Sequence, residues 1–206
     1  MNAKTRSTLA MAIGLLGAAV TAHVHADGGA IRTISLGEPA AAAQGAGRLE
    51  PVVVRVAKPA KSPRSNSSRA LPEDDPHVRE CVAKATAAFD IEPMPLYLIL
   101  DVEGGEVGKN SRPNRNGTYD IGKAQINSSH LRNLAARGIS EDLLRDDLCV
   151  NILVQGWLYK DGLLRSKSPA KAIALYHSPN PAMQRIYLEK IDQAIARRVS
   201  RLAATP

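Results

Sequence analysis

The amino-acid sequence predicts a small all-α domain over residues 77–202, carried behind a low-complexity stretch and an export leader. Three observations point there. Apolar residues recur at helical spacing in successive segments after Pro76, and caps or breakers bound those segments. No part of that region shows the strict alternation of a half-buried strand, and no internal repeat is present. Residues 27–76, by contrast, hold few large apolar side chains, too few to offset the entropy of ordering. About 120 residues of helix suffice for one core and one cleft.

The chain opens as a processing segment. Lys4 and Arg6 give a positive start, Leu9 to Val20 is an apolar run, and Val24-His25-Ala26 ends on small residues. That is the pattern of a secretory signal peptide over residues 1–26, cleaved after Ala26, which places the mature protein in the periplasm or outside the cell. An uncleaved anchor is the alternative, although the apolar run is short for a bilayer. No Cys lies near the cleavage point to take a lipid. Residues 27–76 then read as a disordered tether, with short extended pieces at 31–36 and 51–56.

The helices follow in order. His77 to Asp90 carries Val78, Cys81, Val82, Ala85 and Phe89 on one face. Pro93 and Pro95 mark a turn into a helix over Leu96 to Glu103. Gly104 to Asp120 is a polar loop with the turn pair Asn116-Gly117. Ser128 or Ser129 can cap a helix to Arg137, stopped by Gly138, and Ser140 opens another with acidic residues in its first turn. Val150, Leu153, Val154, Trp157 and Leu158 form the face of a core helix. Ser168-Pro169 opens a helix reaching Tyr176 and His177, and Ser178-Pro-Asn-Pro181 breaks it. The last helix repeats Met183, Tyr187, Ile191, Ile195, Val199 and Leu202 as an inward stripe, with Arg and Lys opposite.

Bulk chemistry narrows the partners. The net charge is +7, falling to +5 once the leader's Lys4 and Arg6 are removed, which suits an ordinary surface or mild attraction to an anionic polymer. Aromatic content is only 3%, without the aromatic–basic interleaving of a nucleic-acid surface, so no nucleic-acid partner is implied. In an exported protein the two cysteines, Cys81 and Cys149, are most simply a disulfide, with two buried free thiols as the other reading. Such a link would contribute about 4 kcal/mol in the chain-entropy account. Neither has a second ligand at zinc-site spacing in the sequence, so no metal is expected.

One stretch concentrates the chemistry. Glu103 shares a helix face with Leu96, Ile99 and Leu100, and the chain breaks at once into Gly104-Gly105. A carboxyl on the apolar face at the end of a buried helix is costly unless it is protonated or used. Adjacent glycines let a ligand approach the backbone. A helix-end Glu turned to solvent is the ordinary alternative. Two-carboxylate glycosidases need a second acid, and Asp101, Glu106 and Asp120 are the nearby candidates; spacing does not choose among them.

These motifs occur together in a definite order. Pro95-Leu-Tyr-x-Ile99 leads to Glu103, Asn116-Gly-x-Tyr-Asp-Ile-Gly122-x-x-Gln125-Ile-Asn-Ser128 follows, then Cys149-x-Asn-Ile152, then Leu175-Tyr176-His177. The set resembles the lytic transglycosylases with a goose-type-lysozyme-like (SLT) fold, closest to small exported members that accompany conjugation, type IV or type III secretion and pilus machines. It covers roughly Val78 to Arg198. The resemblance implies a lysozyme-like helical fold and cleavage of the β-1,4 bond between N-acetylmuramic acid and N-acetylglucosamine in peptidoglycan. Glu103 would be the single acid and then base, giving 1,6-anhydro ends with no metal or organic cofactor. Substrate assistance by the N-acetyl group would replace the second carboxylate. Gly122 and Gln125 match the family's G-L-M-Q motif, Tyr176 its A-Y-N motif, and Cys81 with Cys149 a paired position. A hydrolytic muramidase, or a wall-binding assembly protein without catalysis, are the alternatives. The family's Glu-Ser is here Glu103-Gly104, its Leu-Met is Lys123-Ala124, and the Asn of A-Y-N is His177, which could still hydrogen-bond to substrate.

Overall fold

The computed structural model describes residues 20–26, 30–36, 52–54 and 70–204. Three strands precede the helical domain: β1 (Val20–Ala26), β2 (Ala30–Leu36) and β3 (Val52–Val54). β1 is central, antiparallel to β2 with Val20 opposite Leu36, and parallel to β3 with Ala22 opposite Val52. β2 and β3 fall on the two pieces expected to be extended. The positive start and most of the apolar run of the expected leader lie outside the described residues, as does most of the expected tether. Since β1 ends at Ala26, a chain cut after that residue would retain neither ladder.

From Pro76 onward the domain is all-α, as the sequence leads one to expect. α1 (Pro76–Phe89) starts on Asp75, whose carboxylate accepts from the amides of His77 and Val78, with Pro76 at the first helical position where its missing N–H is harmless. α2 (Pro93–Glu103) begins earlier than its apolar run suggests, because both prolines are tolerated in a first turn. A 3-10 turn at Ser128–His130 leads into α3 (Leu131–Ala135), and the cap is Asn127, accepting from Ser129 N at 3.0 Å, rather than either serine. α4 (Glu141–Asp146) is capped by Ser140, α5 (Leu148–Ser166) by Asp147, α6 (Pro169–His177) by Ser168 and α7 (Pro181–Ala203) by Asn180.

α5 is the hub. Every residue from Leu148 to Trp157 is buried, so this helix is enclosed on all sides, with α1 and α6 packed along it. Each large apolar side chain sealed there contributes about 1.5–3 kcal/mol. A disulfide joins Cys81 of α1 to Cys149 at the start of α5, with Cα atoms 4.7 Å apart, which settles the choice between bridge and free thiols. Among the described residues, no helix is long and apolar enough to cross a membrane.

Two expectations need correction. The helical domain does contain strand: β4 (Asp120–Ile121) and β5 (Ile126–Asn127) form a two-residue antiparallel ribbon, too short to leave an alternation in the sequence. The inward stripe of α7 is also different. Tyr187, Ile191, Ala194 and Arg198 are buried, whereas Met183, Ile195, Val199 and Leu202 are exposed. A row of residues four apart overshoots each turn by about 40°, so it rotates off the core within a few turns. The true contact row shortens one step to three and ends on a charge.

That charge belongs to a buried network. The Arg198 guanidinium donates to both Glu73 carboxylate oxygens, at 2.8 and 3.0 Å, and to Asp101 Oδ2 at 2.8 Å. Arg197 donates to the same Asp101 oxygen at 3.0 Å. Burial alone would raise the Asp101 carboxyl, but the Arg198 and Arg197 guanidiniums outweigh it and hold it below the usual range. Asp101, at the buried end of this network, ties α2 to α7.

Asp101→Asn should therefore cost about 3 kcal/mol in urea denaturation near neutral pH, because it leaves buried guanidinium undercompensated. The wild-type advantage should be full above about pH 4, the range of an unfolded Asp, and shrink as acid carries the folded carboxyl through its depressed pKa. A pH-independent gap between the two proteins would contradict this. Replacing Cys81 and Cys149 together with Ala should cost about 4 kcal/mol in the same assay, since the link closes a loop across 68 positions.

Candidate functional site

A cleft of about 740 Å³ opens beside the C-terminal end of α2. Glu103, Gln125, Tyr176 and His177 line it, together with Asp120 and Asn127. Four of the five residues that the motif resemblance marks for catalysis or substrate binding thus meet in one place, joined by Asp120, a candidate second acid. The fifth, Gly122, does not line the cleft; it is packed behind it.

Glu103 is the last residue of α2, and Gly104 closes the helix in the left-handed conformation, φ 61°, with its N–H on the Leu100 carbonyl. The Glu103 side chain is 16% exposed, enclosed but reachable. Its Oε1 lies 3.7 Å from His177 Nδ1, longer than a hydrogen bond. The His177 ring stacks flat on Tyr187, with centroids 4.3 Å apart and planes 3° from parallel. The Tyr187 hydroxyl is buried and has no hydrogen-bond partner of acceptable geometry among the described residues. Burial first, and the Glu103 charge second, push it well above the ordinary tyrosine range, so carboxyl and hydroxyl are close neighbours. Tyr187 was legible in the sequence only as one more apolar position in a helical stripe.

Another wall is the β4–β5 turn, and a buried amide anchors it to the core. Asn151, buried on α5, donates from Nδ2 to the Ile121 and Leu144 carbonyls at 3.1 and 2.9 Å and accepts from Ala124 N at 2.6 Å. Gly122 sits against that amide at φ 68°; a Cβ there would lie 2.5 Å from Asn151 Nδ2. Gln125, itself at φ 53°, donates from Nε2 to the Gly122 carbonyl at 2.8 Å. Its Oε1 accepts nothing among the described residues and is available to a ligand N–H or O–H. Gly105 abuts the same turn: a Cβ would meet the Gly122 carbonyl, with Gln125 Nε2 at 2.6 Å and the Lys123 carbonyl at 2.7 Å. Glycine at 105 is what lets the end of α2 lie on the turn.

Tyr176 bridges the walls. Its hydroxyl donates to the Ala124 carbonyl at 2.7 Å, and burial, then the Glu103 and Asp120 charges, keep it protonated. The three nearby acids separate clearly. Asp101 is locked to Arg197 and Arg198, and Glu106 is exposed and pairs with Lys109 at 2.7 Å. Asp120 lines the cleft and accepts from Asn127 Nδ2 at 2.8 Å. Among the described residues, a metal-ligand cluster can be assembled only from His77, Cys81 and Cys149. His77 lies one helical turn before Cys81, a proximity the sequence reading passed over, but both sulfurs are in the disulfide and offer no thiolate.

No family model matches the chain. Among curated proteins it is 36% identical over 86 residues to invasion protein IagB of Salmonella typhimurium, an overlap of 40% of this chain and 51% of that one. It is 28% identical over 134 residues to protein IpgF of Shigella flexneri, covering 63% of this chain and 86% of that one. The chain therefore spans about half the length of the IagB proteins it matches.

Gly122→Ala should be a sensitive probe of the turn. Its Cβ collides with the Asn151 amide and its φ is one that Ala adopts only under strain, so we expect a loss of about 2 kcal/mol in urea denaturation. A variant as stable as wild type would mean that Asn151 does not hold this turn.

Proposed function

We propose that this chain is an exported lytic transglycosylase of peptidoglycan, acting for an envelope-spanning secretion, conjugation or pilus apparatus. The observation that carries the reading is the setting of Glu103: an enclosed carboxyl at the end of a cleft, without a Lys or Arg partner among the described residues, ringed by His177, Tyr187 and Gln125. The ordered motifs around it resemble that enzyme family. The kinship to a protein named for invasion supports a role with an envelope machine.

The chemistry needs one group to act twice. Protonated Glu103 gives its proton to the glycosidic oxygen as the bond from the muramic C1 breaks, and the substrate's own acetamido oxygen closes on C1. Glu103, now a carboxylate, takes the proton from the muramic 6-hydroxyl, whose oxygen attacks C1 and displaces the acetamide. The product is a 1,6-anhydro ring, and no water is consumed. Gln125 Oε1 can accept from the acetamide N–H or a sugar hydroxyl, and the Tyr176 ring, which lines the cleft, gives the sugar an apolar surface.

A hydrolytic muramidase is the second reading, favoured by one observation: Asp120 lines the same cleft and could hold a water. The products separate the two. Digested sacculi should yield mainly 1,6-anhydro muramic ends, whereas mainly reducing ends would establish hydrolysis. Glu103→Gln should lower the rate by at least about 100-fold while leaving the fold intact. Equal and negligible release by wild type and variant, with peptidoglycan binding alike, would identify a binding protein instead.

A further inference from the structure

The cleft carries positive charge that cutting a neutral sugar–sugar bond does not require. Arg115 and Arg165 line it along with Glu103 and Asp120, whereas burial lowers the pKa of the nearby His130 and favours its neutral ring. Arg165 is partly neutralised, its Nε 2.8 Å from Asp161 Oδ2. Arg115 is exposed, has no carboxylate or hydrogen-bond partner among the described residues, and yet stands on a well-braced support.

That support is the turn from Asn114 to Thr118. The Gly117 amide donates to the Asn114 carbonyl at 2.9 Å, closing a four-residue turn with Arg115 and Asn116 at its tip. The Asn116 carboxamide oxygen accepts from both the amide and the hydroxyl of Thr118. Asn127, on β5, donates to Thr118 Oγ1 at 3.1 Å and to Asp120 at 2.8 Å, fixing the turn to the ribbon behind Gln125. A guanidinium so held loses little further backbone freedom when it meets an anion, and its planar fork matches a carboxylate.

We propose that Arg115 reads an acidic substituent on the glycan, the carboxylates of the stem peptide attached to muramic acid, so that the cleft prefers peptide-bearing over naked strands. This rests on peptidoglycan being the ligand. Acidic side chains already line this cleft, so a further carboxylate entering it needs a cation of its own, and Arg115 is the lining arginine without a carboxylate partner among the described residues. Arg165 extends the same positive side.

The test compares kcat/KM on two substrates: glycan strands carrying stem peptides, and the same strands stripped by an amidase. Wild type should favour the peptide-bearing strands, Arg115→Gln should reduce that preference about 3-fold and Arg115→Glu about 10-fold, as expected for one exposed ion pair and its reversal. Arg115→Lys should keep part of it, and added salt should erode the wild-type preference. A preference unchanged in Arg115→Glu, or no preference in wild type, overturns the inference. Should wild type cut neither substrate, the enzymatic reading fails and binding decides the inference. Disaccharide–peptide should bind wild type more tightly than peptide-free disaccharide, and Arg115→Glu should lose that difference; equal binding in wild type overturns it.

Discussion

The side-chain amide of Asn151 is where the helical core and the cleft become one object. It sits in the most enclosed part of α5, where an unpaired amide would be expensive, and it makes three hydrogen bonds there. Those bonds fix the β4–β5 turn relative to α5 and the end of α4. The turn in turn receives Gly105, which sets where α2 ends, and carries Gln125 and the Ala124 carbonyl that Tyr176 grips. An apolar residue at 151 would pack well yet abandon the Ile121 and Leu144 carbonyls and the Ala124 amide. The amide is therefore structural in its bonds, and through the turn it places Gln125 and the Ala124 carbonyl at the cleft.

The departures from the transglycosylase-like motif pattern make sense on the same scaffold. Gly104 adopts a left-handed φ to close α2, a conformation in which Ser would be strained. Ala124 is fully buried, with its amide on Asn151 and its carbonyl on Tyr176, so its side chain needs to be small and its backbone does the holding. His177 keeps a ring that stacks on Tyr187, something an Asn could not do.

What could be read in the sequence follows from range. Caps act over three residues, so Ser140 and Ser168 announce their helices, and Glu103 stands out because a carboxyl interrupts an apolar face within one turn. Cys81 and Cys149 were legible because two cysteines in a chain that opens like an export leader leave few alternatives. The misses are long-range. Tyr187 looks like core until His177 and Glu103 are brought beside it by the break at Ser178–Asn180. Arg198 looks like the solvent face until Glu73 and Asp101, from distant segments, surround it. The ribbon at Asp120 and Asn127 is held by a side chain from α5, which no local pattern encodes.

Asp101 and Glu103 show how one helix end serves two opposite requirements. Two residues apart, they point about 200° apart around α2. Asp101 faces α7, where two guanidiniums hold its carboxylate ionised, which suits a strut and would ruin a proton donor. Glu103 faces the cleft, with an imidazole at 3.7 Å and beside it the buried Tyr187 hydroxyl, which makes no hydrogen bond among the described residues. No Lys or Arg pairs with it among the described residues. The proposed reaction asks for a group that can lose a proton and regain it within one turnover, on a helix that does not move while it does so. The Asp101 network supplies the second condition to the residue that has the first.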